Sequence, residues 1–265
     1  MNLKELIKKA IKPQTIIYSP VSVLNESKQL KDRNIVITGG SSGIGKAIAI
    51  ACANRGADVI IIGRNEIELK LVKDMIGSQC QYIVLDLNSK IEKDFFENIS
   101  AKPITDLVNN AGVYIEYNSL NYTYDNFDKI FCTNCRSPFM LSQYFVNYLI
   151  KNQKKGTIVF TSSNRALMGD DGPYGMSKAA IDNFIEGIAR ESIKYGIRVN
   201  GVAPGMTASN INHIDLKGNL YNANVLGKRV IHPDEIAEVV CFLLSDLSKC
   251  VTGAIIPCDD GDRLR

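Results

Sequence analysis

Histidine is scarce: His213 and His232 are the only two in 265 residues. A histidine-built metal centre or a Ser-His-Asp triad therefore has almost nothing to be assembled from. The seven cysteines do not fill that gap. They are odd in number, scattered from Cys52 to Cys258, and preceded by no secretory signal, which argues for free thiols in a reducing compartment and a cytoplasmic location. Cys132 and Cys135 form a C-x-x-C, but no second pair exists to complete a zinc site, so they read as packed helix cysteines and no metal is expected.

Long apolar runs are missing too. None approaches the ~18 to 20 residues of a membrane span, and no Pro/Gly/Ser-rich linker divides the chain, so one large α/β domain is expected rather than two. Charge is weak: the net value is +3, and residues 1–33 alone hold seven Lys/Arg against three Asp/Glu. The remainder is close to neutral, which excludes a nucleic-acid partner by charge. Within the leader, Leu3, Leu6, Ile7, Ala10 and Ile11 share one helical stripe, with Lys4, Lys8, Lys9 and Lys12 largely off it, until Pro13 stops the pattern. Residues 1–33 thus read as a basic amphipathic extension, docked on its own domain or a neighbouring subunit. Peripheral contact of residues 1–12 with an anionic membrane surface is the alternative.

From Asn34 onward, strand-like and helix-like segments alternate. Strands are expected over residues 35–38, 59–62, 82–85, 106–108, 157–160, 197–202 and 255–257. Helices are expected over 44–55, 66–76, 91–99, 124–151 and 174–194. Such alternation predicts right-handed βαβ units and a doubly wound parallel sheet of about seven strands with helices on both faces, over residues 34–265. Ligands in such sheets lie at the carboxyl ends of the strands.

The first of those ends carries Thr38-Gly-Gly-Ser-Ser-Gly-Ile-Gly45. Gly39, Gly43 and Gly45 allow a tight turn and a close approach of a pyrophosphate to the backbone at the start of the next helix. Gly39-Gly40-Ser41-Ser42-Gly43 also satisfies the G-x-S-x-G nucleophile elbow, yet that elbow normally follows several strands, and this one follows the first. At the end of the second strand an acidic residue would select NAD(H) by accepting from the ribose hydroxyls. Gly63 and Arg64 stand there instead, and a guanidinium that pairs with phosphate favours NADP(H). Asp86, ending the third strand, falls where an adenine contact lies.

Tyr174 and Lys178 stand one helical turn apart on the same face. A phenol with pKa near 10 is a poor base at pH 7, and lowering it by ~3 units requires about 4 kcal/mol of differential stabilisation, which a neighbouring cation in a partly dry site can supply.

With these residues in view, the chain from about Asp32 to Asp260 resembles the short-chain dehydrogenase/reductases, in the branch that includes 3-oxoacyl carrier-protein reductases. The resemblance rests on the glycine turn, Asp86-Leu87, Asn109-Asn110-Ala111-Gly112, Asn134, Thr157-Ile-Val-Phe-Thr-Ser-Ser163, Tyr174-Gly-Met-Ser-Lys178 and Pro204-Gly205. It implies a Rossmann-fold NADP(H) oxidoreductase that interconverts a carbonyl and a secondary alcohol. Tyr174 is then the general acid in reduction and the base in reverse. Lys178 lowers its pKa and binds the nicotinamide ribose, Ser163 binds the substrate oxygen, and Asn134 interrupts its helix to hold a water. Gly39, Ser41, Ser42, Gly43, Ile44 and Gly45 line the cofactor with Arg64 and the Asn110-Ala111-Gly112 turn, where Asn110 and Ala111 pass the adenosine ribose. Asp86 and Leu87 meet the adenine; Pro204, Gly205 and Thr207 approach the nicotinamide.

Two departures stand out. The loop from Ser163 to Tyr174 is about two residues shorter than the family's usual spacing, which keeps Ser162 open as the catalytic serine. The ending Cys-Asp-Asp-Gly-Asp-Arg replaces the common Asp-Gly-Gly, which puts the C-terminal subunit contact in doubt. Substrate selection falls to residues 114–124, 164–173 and 206–230, which are polar: Ser209, Asn210, Asn212, His213, Lys217, Asn219, Asn222, Asn224 and Arg229 suit hydroxyls or an anion. A polar, sugar-related or anionic carbonyl is therefore expected ahead of a 3-oxoacyl thioester, with Arg165 the candidate anion contact and the two histidines plain loop residues. The alternative of another class is a non-catalytic NADP(H)-binding sensor or scaffold; the full Asn134, Ser163, Tyr174, Lys178 set favours the enzyme. By resemblance, the chain forms a homo-oligomer, tetramer or dimer, through its two long helices.

Overall fold

Apolar residues alternate sides along the first two strands and so set two cores. In β1 (Asn34–Thr38) Ile35 and Ile37 enter one hydrophobic cluster while Val36 enters the other, and in β2 (Asp58–Gly63) Val59 and Ile61 part from Ile60 and Ile62 in the same way. A strand buried on both faces needs both sets, and a parallel sheet covered by two helical layers supplies the burial. The computed structural model describes residues 15, 28–116, 120–170, 172–208 and 218–264. The expected helix over 3–12, and Ser209, Asn210, Asn212, His213 and Lys217, lie outside the described residues.

β3 (Cys80–Val84), β4 (Asp106–Asn109), β5 (Gly156–Thr161), β6 (Ile197–Pro204) and β7 (Ile255–Cys258) complete a parallel sheet of order β3-β2-β1-β4-β5-β6-β7. The winding reverses between β1 and β4, where Ile35 pairs with Asp106 and Ile37 with Val108, and a crevice opens at such a switch point. α1 (Gly43–Asn54) and α2 (Glu66–Ile76) cover one face. The other face carries the four-residue α3 (Phe95–Asn98), α5 (Ser137–Lys151) and α6 (Pro173–Ser192). Packing reaches upstream of β1: Leu30 is fully buried in the first cluster, and Arg33 pairs with buried Asp106 and with Asp246.

The helices depart from expectation at three places. α3 replaces a helix expected over 91–99: of Lys90 to Asp94 only Ile91 packs against the core, and the other four residues are exposed, which is too little apolar surface to dock a first turn. The helix expected over 124–151 is divided, at the interruption the resemblance implied for Asn134, into α4 (Tyr124–Phe131), a π-helical turn at Cys132–Arg136, and α5. Pro138 explains the break, since it has no N–H to give the carbonyl of Asn134 four residues earlier. An unexpected helix, α7 (Pro233–Leu244), packs against α1 on the first face. His232 is its N-cap rather than a plain loop residue: its ring nitrogen accepts from Asp234 N, and Glu235 closes a capping box with Pro233 in the first turn.

Candidate active site

The glycine turn is tight because backbone passes backbone within it. A Cβ on Gly45 would lie 2.2 Å from the Gly39 carbonyl oxygen and 2.5 Å from Asn110 Nδ2, and Gly39 itself has φ +68°, so neither position tolerates a side chain. Asn110 fastens the turn to its neighbours: Nδ2 donates to Thr38 O at 3.1 Å, and Oδ1 accepts from Thr161 Oγ1 at 3.2 Å. The backbone amides of Asn110 and Ala111 both donate to Thr38 Oγ1 at 3.0 Å. The ends of β1, β4 and β5 are thereby held together.

The turn fits a phosphate-bearing group. α2, α4 and α7 have side-chain caps from Asn65, Thr123 and His232, but Ser42 makes no such bond at the start of α1, and the first turn of α1 carries no acidic residue. The amides behind Gly43, Ile44 and Gly45 are left for an anion. Beside them a cleft of about 600 Å³ is lined by Ser41, Arg64, Asn65, Glu66 and Ile67. Arg64 is exposed and has no ion-pair partner among the described residues. Asp86 lies two residues beyond β3, with one carboxylate oxygen accepting from Asn88 N at 3.0 Å, and Leu87 is buried with its carbonyl accepting from Ser137 Oγ at 2.6 Å.

Three elements bring the proton-bearing groups together. From α6, Lys178 is buried and its Nζ donates to the Thr161 carbonyl at 2.7 Å, while lying 5.7 Å from the Tyr174 ring centroid. Burial holds its pKa down to about 8, with Cys135 and Asp182 pulling upward. Ser163, two residues beyond β5, accepts from Arg165 N at 3.2 Å and acts on the Tyr174 phenol, drawing its pKa down. Ser162 turns the other way, donating to the carboxylate of Asp182. The two serines therefore have different neighbours, Ser162 the Asp182 carboxylate and Ser163 the Tyr174 phenol. From the π-helical turn, Asn134 accepts from Val113 N at 2.9 Å and donates to Val113 O at 3.0 Å and to Ser177 Oγ at 3.1 Å. A Cβ on Gly112 would touch both Asn134 Oδ1 and Lys178 Nζ at 3.5 Å, so the bare glycine keeps those two groups on one open face.

The phenol of Tyr174 behaves differently from the lowered pKa expected. Burial is the largest influence and raises it, Ser163 and Arg165 pull it down, and Asp170 and Tyr114 push it up. Lys178 spends its ammonium on the Thr161 carbonyl instead. Above Tyr174, the Tyr114 ring meets it edge-on at 5.4 Å, and the Arg165 guanidinium lies 5.6 Å from the centre of the Tyr114 ring. Arg165 is an incomplete anion contact, because Asp170 already pairs with it at 3.0 Å. Tyr114 and Asp170 fall within the segments expected to select substrate, though without individual roles, while Asp182 was not legible as a site residue because its partner Ser162 lies twenty residues away.

On the nicotinamide side of the expected site, Pro204 ends β6, Gly205 N donates to Cys258 O at 3.0 Å, and Thr207 Oγ1 donates to Gly205 O at 3.0 Å. The unusual ending is bound within its own chain. Asp262 accepts from Leu226 N at 3.0 Å and from Asn164 Nδ2 at 3.4 Å, and Asp260 pairs with Arg229. The C-terminus therefore props the segments on either side of Tyr174.

Comparison with known proteins agrees with this geometry. The family described as Enoyl-(Acyl carrier protein) reductase matches residues 39–262. An L-xylulose reductase of Caenorhabditis elegans is 35% identical over 240 residues, covering 87% of this chain and 95% of the relative. An L-rhamnose 1-dehydrogenase (NADP(+)) of Thermoplasma acidophilum is 31% identical over 247 residues, covering 87% and 96%. A 3-oxoacyl-[acyl-carrier-protein] reductase of Thermotoga maritima is 33% identical over 245 residues, covering 88% and 98%. With a seven-stranded doubly wound sheet, a glycine turn at its switch point and a Tyr/Lys pair beside it, the chain belongs to the short-chain dehydrogenase/reductase family of oxidoreductases.

Proposed function

We propose that the protein is an NADP(H)-dependent reductase of a polar, uncharged, polyhydroxylated carbonyl, run in reverse as an alcohol dehydrogenase. The observation that carries this reading is the convergence of Tyr174, Ser163 and Lys178 at the carboxyl edge of β5, beside a glycine turn with free amides. The nicotinamide, when bound, supplies or accepts the hydride. Gly39, Ser41, Ser42, Gly43, Ile44 and Gly45 hold its pyrophosphate end, Asp86 and Leu87 the adenine, Asn110, Ala111 and Gly112 the adenosine ribose, and Pro204, Gly205 and Thr207 the nicotinamide. Arg64 takes the 2′-phosphate.

In reduction the Tyr174 phenol donates its proton to the carbonyl oxygen, and a raised pKa suits that direction because it keeps the proton on the ring at neutral pH. The Ser163 hydroxyl donates to the same oxygen and fixes its position. Lys178 steadies the phenolate left behind and contacts the nicotinamide ribose. The carbonyl of Asn134, which Pro138 leaves without its helical donor, holds the water that returns a proton toward Lys178.

The substrate follows from charge. With Arg165 neutralised by Asp170, the wall above Tyr174 offers hydrogen bonds and an aromatic edge rather than a free cation. Similarity to sugar-acting relatives supports the same choice. A 3-oxoacyl thioester is the second reading, favoured by the reductase of Thermotoga maritima. NADPH oxidation against ketopentoses, aldoses and an acetoacetyl thioester tests both; turnover of the thioester alone would reject the sugar assignment.

Two further parts complete the proposal. An apolar cleft of about 390 Å³ between α5 and α6, lined by Phe131, Cys135, Phe139, Ile181 and Phe184, supports a homo-oligomer joined through this face. Seven free thiols support a cytoplasmic location, and no helix among the described residues is long and apolar enough to cross a membrane.

A further inference from the structure

Three consecutive residues leaving β5 contact three residues of α6 that stand one helical turn apart. The Thr161 carbonyl holds Lys178 Nζ, the Ser162 hydroxyl holds the Asp182 carboxylate, and Ser163 acts on the Tyr174 phenol. The middle contact belongs to neither the substrate nor the cofactor side of the site. Asp182 nevertheless shows a feature that ordinary structural carboxylates avoid: its Oδ2 is buried and has no hydrogen-bond partner among the described residues. A buried carboxylate oxygen without a donor needs a nearby positive charge to offset its lost hydration, and Lys178 is the cation that acts on it.

We propose that Asp182 is a positioning residue for the reaction: through Ser162 it clamps the end of β5 to α6, and it is the counter-charge that keeps the buried Lys178 ammonium in place. This rests on the reading of Tyr174 and Lys178 given above. The groups that face the pair are few. Cys135 approaches Lys178 from the π-helical turn, Tyr174 lies one turn back, and Glu186 lies one turn beyond Asp182 on the same helix; β5 contributes only Thr161 and Ser162, which do not titrate. Cys135 is neutral at pH 7, since burial lifts its thiol to about 11. That leaves Asp182 as the negative charge that bears on the ammonium.

The test reads the lysine directly. In full-length protein carrying ε-13C-labelled lysine, with the Lys178 signal assigned by its loss in Lys178→Met, the parent is expected to titrate near 8. Asp182→Asn keeps an acceptor for Ser162 and removes the charge; it should lower that midpoint by about one unit and shift the matching limb of the kcat/KM profile with it. Ser162→Ala keeps the charge and loses the clamp; it should leave the midpoint in place and lower kcat about tenfold through misplacement. An unmoved Lys178 midpoint in Asp182→Asn overturns the proposal, as does a parental kcat in Ser162→Ala, which also serves if the first variant does not fold. If the midpoint falls while Tyr174→Phe keeps full activity, the reaction reading fails and the carboxylate–lysine pairing stands.

Discussion

Asn134 is bound at both ends to one residue: its Oδ1 accepts from Val113 N at 2.9 Å, and its Nδ2 donates to Val113 O at 3.0 Å. The bridge ties the π-helical turn to the strand-end loop that carries Gly112. Asn134→Leu removes it and strands two backbone groups of Val113, so a stability loss of about 3 kcal/mol is expected, with a larger fractional fall in kcat than in NADPH affinity. Denaturant melts and steady-state kinetics check both.

The position of Arg64 fixes a cofactor prediction. If its guanidinium pairs with a 2′-phosphate, Arg64→Ala should raise the KM for NADPH about 10- to 100-fold, the worth of a charge-assisted bond, and leave that for NADH within about twofold. Equal losses for the two cofactors would point to a folding role instead.

Lys178 sets a pH dependence of stability. Its folded pKa, about 8, lies below its ordinary 10.5, so between these values the unfolded chain binds the extra proton and stability rises with pH. Below pH 8 the lysine is charged in both states and the cost of burying it is fully present. Lys178→Met has no such proton to release. The parent should therefore gain on the variant in chemical denaturation as pH rises from 8 toward 10.5, and a constant difference would refute the buried charge.

Leu30 and Arg33 extend the packed body upstream of β1. Asp106 is fully buried and its pKa is raised by burial, with Arg33, Thr105, Thr157 and Arg198 pulling it down. Arg33→Ala withdraws one of its two cations, at a cost of about 3 kcal/mol, and should leave kcat near the parental value, because the pair lies at the opposite end of the strands from Tyr174.

Much of this arrangement was legible in the residues, for a local reason. The β1 to α1 glycine turn, the strands and the Tyr174/Lys178 spacing are each encoded within a few neighbours. What escaped depends on partners far along the chain. The hydroxyl of Ser162 is engaged by Asp182, twenty residues on, and the guanidinium of Arg165 by Asp170. The interruption at Asn134 was implied by the resemblance, and Pro138, four residues on, gives its physical cause; His232-Pro-Asp-Glu235, which foretells the start of α7, was missed. The leader over 1–12 lies outside the described residues.

Turnover by Tyr174→Phe tests the central claim most directly. The replacement keeps the ring against Tyr114 and removes the only group assigned to carry the proton. With a carbonyl substrate that the parent reduces, kcat should fall about 10²- to 10⁴-fold while NADPH binding, followed by fluorescence, stays within about threefold of the parent. Reduction at the parental rate would contradict it.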